Sequence, residues 1–298
     1  MATLREVRRR ILGIRQTQKI TKAMKMVATA KLRRAQLAVV AARPYAAKMK
    51  ELLQHLMGHV AEGMGPLLAG REIRTVALVI IAADRGMCGA FNSNVIKMAV
   101  GHMQEKYPGW NEQGKVKLFC VGKKSADFFS KRRFTVTGKY VGVFNALAFS
   151  QAEGITRDLV QGYLRGDFDR VEVIYNEFKS ISQQRLVIDQ FLPVPEAPAA
   201  PGEAPKKAAY DEYIYEPSKE QILEAIVPKH LNFQIWRMLL ESNAAEQGAR
   251  MAAMENASDN ASELIDSLQL QYNKARQGAI TKELLEVVGG AEALAAAG

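Results

Sequence analysis

Residues 14–43 read IRQTQKITKAMKMVATAKLRRAQLAVVAAR, thirty positions without a glycine or a proline. Alanine, lysine, arginine, glutamine and methionine dominate, and these are good helix formers. Apolar residues fall at Val7, Ile11 and Ile14, then at Ile20, Met24 and Val27, then at Leu32, in steps of mostly three and four. That spacing predicts a helix with a narrow apolar stripe and a wide basic face. Thr3 followed by Glu6 predicts a capping box at its start. Pro44 is a place for a kink or a stop, yet the pattern resumes through Met49, Leu52, Leu53 and Leu56 and ends only near Gly58, Gly63, Gly65 and Pro66. About 50 helical residues at 1.5 Å each make a rod of roughly 75 Å.

The far end of the chain answers this helix. No proline follows Pro228, and residues 220–288 are again helical in composition. Met254, Ala257, Ala261, Leu264 and Leu268 fall in alternating steps of three and four, a coiled-coil seam whose alanines allow close approach. Gly248 and Gly278 each weaken such a helix by about 1 kcal/mol. Neither helix can bury its seam alone, so the two are expected to pair as an antiparallel coiled coil.

The middle has a different texture. Residues 76–82 are a continuous apolar run, as in a buried parallel strand. Residues 116–121, 171–178 and 185–191 read as further strands, with helices over 92–106, 125–131 and 149–165. Strands alternating with helices predict an α/β, Rossmann-like domain with a mostly parallel sheet. Pro193, Pro195, Pro198, Pro201 and Pro205 then mark a linker. The expected organisation is a coiled-coil helix over 1–60, an α/β globular foot over 70–192, a proline-rich linker over 193–218 and a second coiled-coil helix over 219–298.

Charge is distributed unevenly. The chain holds 41 Lys+Arg against 31 Asp+Glu, a net charge of +10 over 298 residues. The first 34 residues contain eleven basic side chains and one acid, Glu6, so they carry all of it; the other 264 balance at 30 against 30. Like charges along a helix repel, so the basic face calls for an anionic partner. Nucleic acid is one candidate, giving a basic coiled-coil nucleic-acid-binding protein as the alternative reading. Against it, no aromatic residue interleaves the basic ones before Tyr45 to offer a stacking platform. An acidic protein surface around the rod is the other candidate.

Other chemistries find little material. The longest stretch free of Asp, Glu, Lys and Arg runs from Tyr140 to Ala152, too short to span a bilayer. The segment Asp84-Arg85-Gly86-Met87-Cys88-Gly89 sits between a strand and a helix, where phosphate loops occur, but it lacks the Walker and dinucleotide patterns. It reads as a structural or contact loop. His55 and His59 lack the glutamate of a zinc-protease helix and any third ligand. Cys88 and Cys120 read as small core residues. No catalytic residues and no cofactor or metal are expected.

Particular stretches go further. Residues 14–28, IRQTQKITKAMKMVA, residues 84–92, DRGMCGAFN, residues 249–254, ARMAAM, followed by Ser258-Asp259-Asn260, and residues 272–277, YNKARQ, with 280–291, ITKELLEVVGGA, occur in this order. Together they strongly resemble the gamma subunit of F-type ATP synthase, of bacterial type, from residue 5 to about residue 294. The resemblance implies a non-catalytic central rotor shaft that couples c-ring rotation, driven by protons or sodium ions, to the conformational cycle of the beta subunits. It implies alpha, beta, epsilon and c-ring as partners, with no nucleic acid and no membrane span. Met24 and Lys25 would face the acidic lever of beta, and Arg276, Gln277 and Thr281 would contact the upper ring. Arg85, Tyr213, Tyr215 and Glu216 would belong to the foot, facing epsilon and the c-ring. The family pattern begins almost at Met1, which implies no cleaved presequence and a peripheral position on the cytoplasmic face of a bacterial inner membrane. The proline-rich linker is longer than the family pattern leads one to expect.

Overall fold

A computed structural model of the chain describes residues 3–57, 65–180, 183–195, 216 and 218–296. Among them the elements are α1 Leu4–Met57, β1 Val76–Ile81, α2 Phe91–Lys106, β2 Val116–Val121, α3 Lys123–Ser130, β3 Val136–Tyr140, α4 Phe149–Arg165, β4 Arg170–Phe178, β5 Gln184–Leu192 and α5 Lys219–Ala296. They fall into two compact units, one of Met1–Ala28 with Met251–Gly298 and one of Thr29–Arg250.

In the first unit the start of α1 meets the later part of α5. The Thr3 N–H donates to Glu6 Oε2 at 2.9 Å and the Glu6 N–H to Thr3 Oγ1 at 3.4 Å, the reciprocal capping box that the sequence predicts. The two helices run antiparallel: Gln18 reaches Ser262 at 2.5 Å, Thr21 meets Ser258 at 2.7 Å and Lys25 meets Glu255 at 2.7 Å, partner numbers falling as α1 numbers rise. Val7 and Ile11 pack with Ile265 and Leu268, flanked by Ile14 and Tyr272.

The seam differs from the expected one. On α1 it keeps the phase set by Val7, Ile11 and Ile14 and continues through Gln18, Thr21, Lys25 and Ala28, while Ile20 and Val27 are 60% and 57% exposed. On α5 it runs Met254, Ser258, Ala261, Ile265 and Leu268, leaving Leu264 exposed and Ala257 half-buried. The reason is polar pairing. Thr21 and Ser258 satisfy each other across the seam, so hydroxyl residues occupy positions that a search for apolar residues skips.

In the second unit a five-stranded sheet has the order β3-β2-β1-β4-β5. The β3-β2, β2-β1 and β1-β4 pairs are parallel, and β5 returns antiparallel to β4. The edge strand β3 is not among the expected strands. Its residues Val136-Thr137-Gly138-Lys139-Tyr140 alternate half-buried with exposed, and Gly138 has no apolar side chain to signal a strand. A Cβ on Gly138 would come 2.5 Å from Phe119 Cδ1, so the close approach of β3 to β2 requires glycine there.

The sheet is covered on both faces. Val76, Leu78 and Ile80 turn toward α2 and α3. Ala77, Val79 and Ile81 turn toward α4, Met49, Leu53 and Leu56 of α1, and Leu223, Val227, Leu231, Ile235 and Leu239 of α5. This two-sided burial explains why β1 reads as an unbroken apolar run. Pro44 does not stop α1; it and Val40, whose carbonyl loses its helical partner, both lie on the exposed side where water can bond. Earlier on α1, Ala35 and Val39 pack against Leu240 and Ala244 of α5.

One carboxylate is buried in the α2 face. Glu172 on β4, 2% exposed, meets His102 Nε2 and Lys106 Nζ, each at 2.6 Å, and accepts from the Tyr107 hydroxyl at 3.0 Å. Burial opposes its ionisation, but the bonds from His102 and Lys106 win and hold its pKa down to about 2.

Candidate partner-contact surfaces and the sheet-edge crevice

In a doubly wound sheet the ligand crevice lies beyond the carboxyl ends of the strands, where neighbouring connections leave in opposite directions. Here that point is between β1 and β4. The segment after β1 is fixed from within. Asp84 accepts three backbone N–H bonds, from Lys123 at 2.9 Å, Gly142 at 2.8 Å and Phe144 at 3.0 Å. Asn92 accepts the Ala83 N–H at 2.9 Å and donates to the Arg85 carbonyl at 3.3 Å. The crevice is filled by α5: Ala245 packs with Ala83, Cys88 and Phe91, and Glu241 accepts the Phe178 N–H at 3.1 Å.

Arg250 completes the closure. Its guanidinium donates to the Gly86 carbonyl at 2.5 Å and pairs with Glu246 one turn earlier at 2.5 Å. Burial pushes the Glu246 carboxyl above the usual range, and Arg250 pulls it back. The backbone amide at the start of α3 is taken by the Asp84 carboxylate, a group that would repel phosphate. These bonds tie the loop to α2, α3 and α5. Both cysteines are buried, and burial pushes their thiols up, Cys120 to about 12, which suits core residues rather than nucleophiles. Among the described residues no cluster of three or more His, Cys, Asp or Glu could hold a metal, and no helix is long and apolar enough to cross a membrane. The His55 and His59 pair lies outside the described side chains.

The expected contact residues do not form one site. Lys25 is half-buried in the seam of the first unit, where it pairs with Glu255, and Met24 is half-buried next to it. Arg276, Gln277 and Thr281 are exposed on α5 of the same unit, about 30 Å along the helix from Glu255. The Thr281 hydroxyl bonds back to the Gln277 carbonyl at 2.9 Å. Arg85 and Glu216 are exposed in the second unit. Tyr213 and Tyr215 lie outside the described residues. Of the eleven basic residues in the first 34, ten are exposed, and Lys25 is the exception. Glu241, Glu246 and Arg250 were not among the expected site residues. Their signal was a Glu-Arg pair one turn apart beside small residues Ala245 and Ala249.

The chain matches the ATP synthase family over residues 3–294. It is 52% identical to the ATP synthase gamma chain of Chloroherpeton thalassium over 302 residues, covering 99% of both chains. It is 51% identical to the gamma chain of Chlorobaculum parvum over 295 residues, again covering 99% of each. The chain belongs to the ATP synthase gamma chain family. As a family member it is a non-catalytic, central-stalk subunit of an ATP synthase. The fold agrees with solved structures. The central stalk and c-ring structure of the Tetrahymena thermophila mitochondrial ATP synthase contains a chain with a TM-score of 0.58 and 25% identity, covering 80% of this chain and 99% of that one. A chain of the Euglena gracilis mitochondrial ATP synthase gives a TM-score of 0.68 at 23% identity, covering 98% of this chain and 95% of that one.

Proposed function

We infer that this gamma-family subunit is the shaft that turns inside a ring of alpha and beta subunits, with its α/β foot against epsilon and the membrane c-ring. Rotation of the c-ring, driven by protons or sodium ions, would reach the beta catalytic sites through α1 and α5. The observation that carries this reading is the division of labour on α1. Val7, Ile11, Thr21 and Ala28 go into the seam with α5, while ten of the eleven cations in the first 34 residues are exposed. A charged surface steers an acidic ring without fixing one orientation, because its attraction varies smoothly with angle where a shaped apolar fit would hold one pose. Met24 and Lys25 with the basic face would meet the acidic lever of beta. Arg276, Gln277 and Thr281 would meet the upper ring, near Ile280, Leu284, Leu285, Val287 and Val288, five exposed apolar residues on one helix end. Arg85, Tyr213, Tyr215 and Glu216 would face epsilon and the c-ring. The chain would then sit peripherally on the cytoplasmic face of a bacterial inner membrane.

Co-expression with alpha and beta tests this. A complex containing all three, with ATPase activity dependent on this chain, is the expected result. Partners that assemble and hydrolyse ATP equally well without it would overturn the reading. Duplex binding no stronger than non-specific background at moderate salt removes the nucleic-acid alternative.

A further inference from the structure

A cleft of about 270 Å³ opens on the second unit between α1, α4 and α5, lined by Tyr45, Phe149, Glu153, Lys229, Asn232 and Phe233. Its walls are braced. The Tyr45 and Phe233 rings lie 4.5 Å apart, and Phe149 stands edge-on to Trp236 at 5.9 Å. Three aromatic residues from three helices thus hold an apolar recess open, and Tyr45 and Phe149 remain 48% and 40% exposed. Glu153 and Lys229 are exposed at its rim, and among the described residues neither has an ion-pair partner, although both line the same cleft. An aromatic recess accepts an apolar anchor. Two unpaired rim charges of opposite sign ask for counter-charges in a fixed order across that anchor.

We propose that this cleft docks a polypeptide segment of another subunit of the synthase, one that inserts an apolar side chain into the recess beside the rings and sets a basic residue against Glu153 and an acidic residue against Lys229. The rim charges favour this occupant. An anionic lipid surface would satisfy Lys229 and repel Glu153, and a purely apolar ligand would leave both charges unanswered. Asn232 adds an amide that can bond the segment's backbone. The aromatic walls come from three separate helices, so the recess is set before the segment arrives, which limits the ordering cost of docking.

The inference rests on the stalk reading, and the test separates the two. The assembled complex is purified with p-benzoylphenylalanine in place of Phe149, or of Tyr45 should the first substitution block assembly, and is irradiated. Cross-links are then mapped by mass spectrometry. The expected adduct is with a different subunit, in a segment where an apolar residue lies between a base and an acid. Glu153→Lys should cut its yield about tenfold, and reversing the mapped basic residue should restore it. An adduct with lipid, with a second copy of this chain, or none at all in a complex that assembles and hydrolyses ATP overturns the proposal. A complex that fails to form around the unsubstituted chain overturns the stalk reading instead.

Discussion

Replacing Glu172 by Gln removes the one carboxylate that His102, Lys106 and Tyr107 share inside the α2 face of the sheet. Its pKa falls from 4.5 to about 2 in the folded protein. At about 1.4 kcal/mol per tenfold, that gap corresponds to about 3 kcal/mol of stability at neutral pH. The Lys106 side chain is 44% exposed, so solvent screening trims the figure to about 2–3 kcal/mol. The folded pKa is depressed, so the contribution is fully present above pH 4.5 and is lost as pH falls toward 2. By about pH 3 less than half should remain. Trp110 provides a local probe, because its ring lies 5.3 Å from that of Tyr107. The chain has two tryptophans, so Trp236→Phe leaves Trp110 as the only reporter in urea unfolding. Wild type and Glu172→Gln should differ by about 2–3 kcal/mol at pH 7, and the difference should shrink to less than half of that by about pH 3. A difference that stays constant over that range, or a loss under about 0.5 kcal/mol at pH 7, would refute the electrostatic account.

Gly122→Ala should prevent the foot from folding or cost it more than about 4 kcal/mol, because its φ is +90° and a Cβ would lie 2.0 Å from the Ala82 carbonyl oxygen. Gly114→Ala, at φ +67° with open space around it, should cost only about 1 kcal/mol in the same thermal melts. A double-mutant cycle on Thr21→Val and Ser258→Ala should return a coupling of about 1 kcal/mol, because the two hydroxyls bond each other at 2.7 Å; additivity would mean the pairing contributes nothing. Lys22→Glu with Arg33→Glu should slow association with an alpha–beta ring at low salt and matter little at high salt, as stopped-flow measurements can check.

Much of the architecture was legible because strong periodicity and two-sided burial leave direct traces. The unbroken apolar run at 76–82 could only be a fully covered strand or a buried helix, and its shortness favoured the strand. The mid-chain phase of α1 was misread for a physical reason. Lys25, Thr21 and Gln18 occupy seam positions through bonds to Glu255, Ser258 and Ser262, and an apolar count assigns the stripe to Ile20 and Val27 instead. The strand β3 escapes an apolar count because its inward positions are only half-buried and the central one, Gly138, carries no side chain. The closure of the crevice was not readable at all. It depends on Arg250 reaching a backbone carbonyl 164 residues earlier, and a carbonyl has no sequence signature.

The filled crevice has a wider consequence. In other doubly wound sheets that space admits a molecule that arrives and leaves. Here the occupant is a stretch of the same polypeptide, always present at its binding place. A foot cut free after β5 would lack that occupant, and Ala83, Cys88 and Phe91 would lose the covering that Ala245 gives them. The isolated foot is therefore not a separable module, and its stability measured alone would understate what it has in the whole chain. What the fold elsewhere uses as a binding site has become a joint.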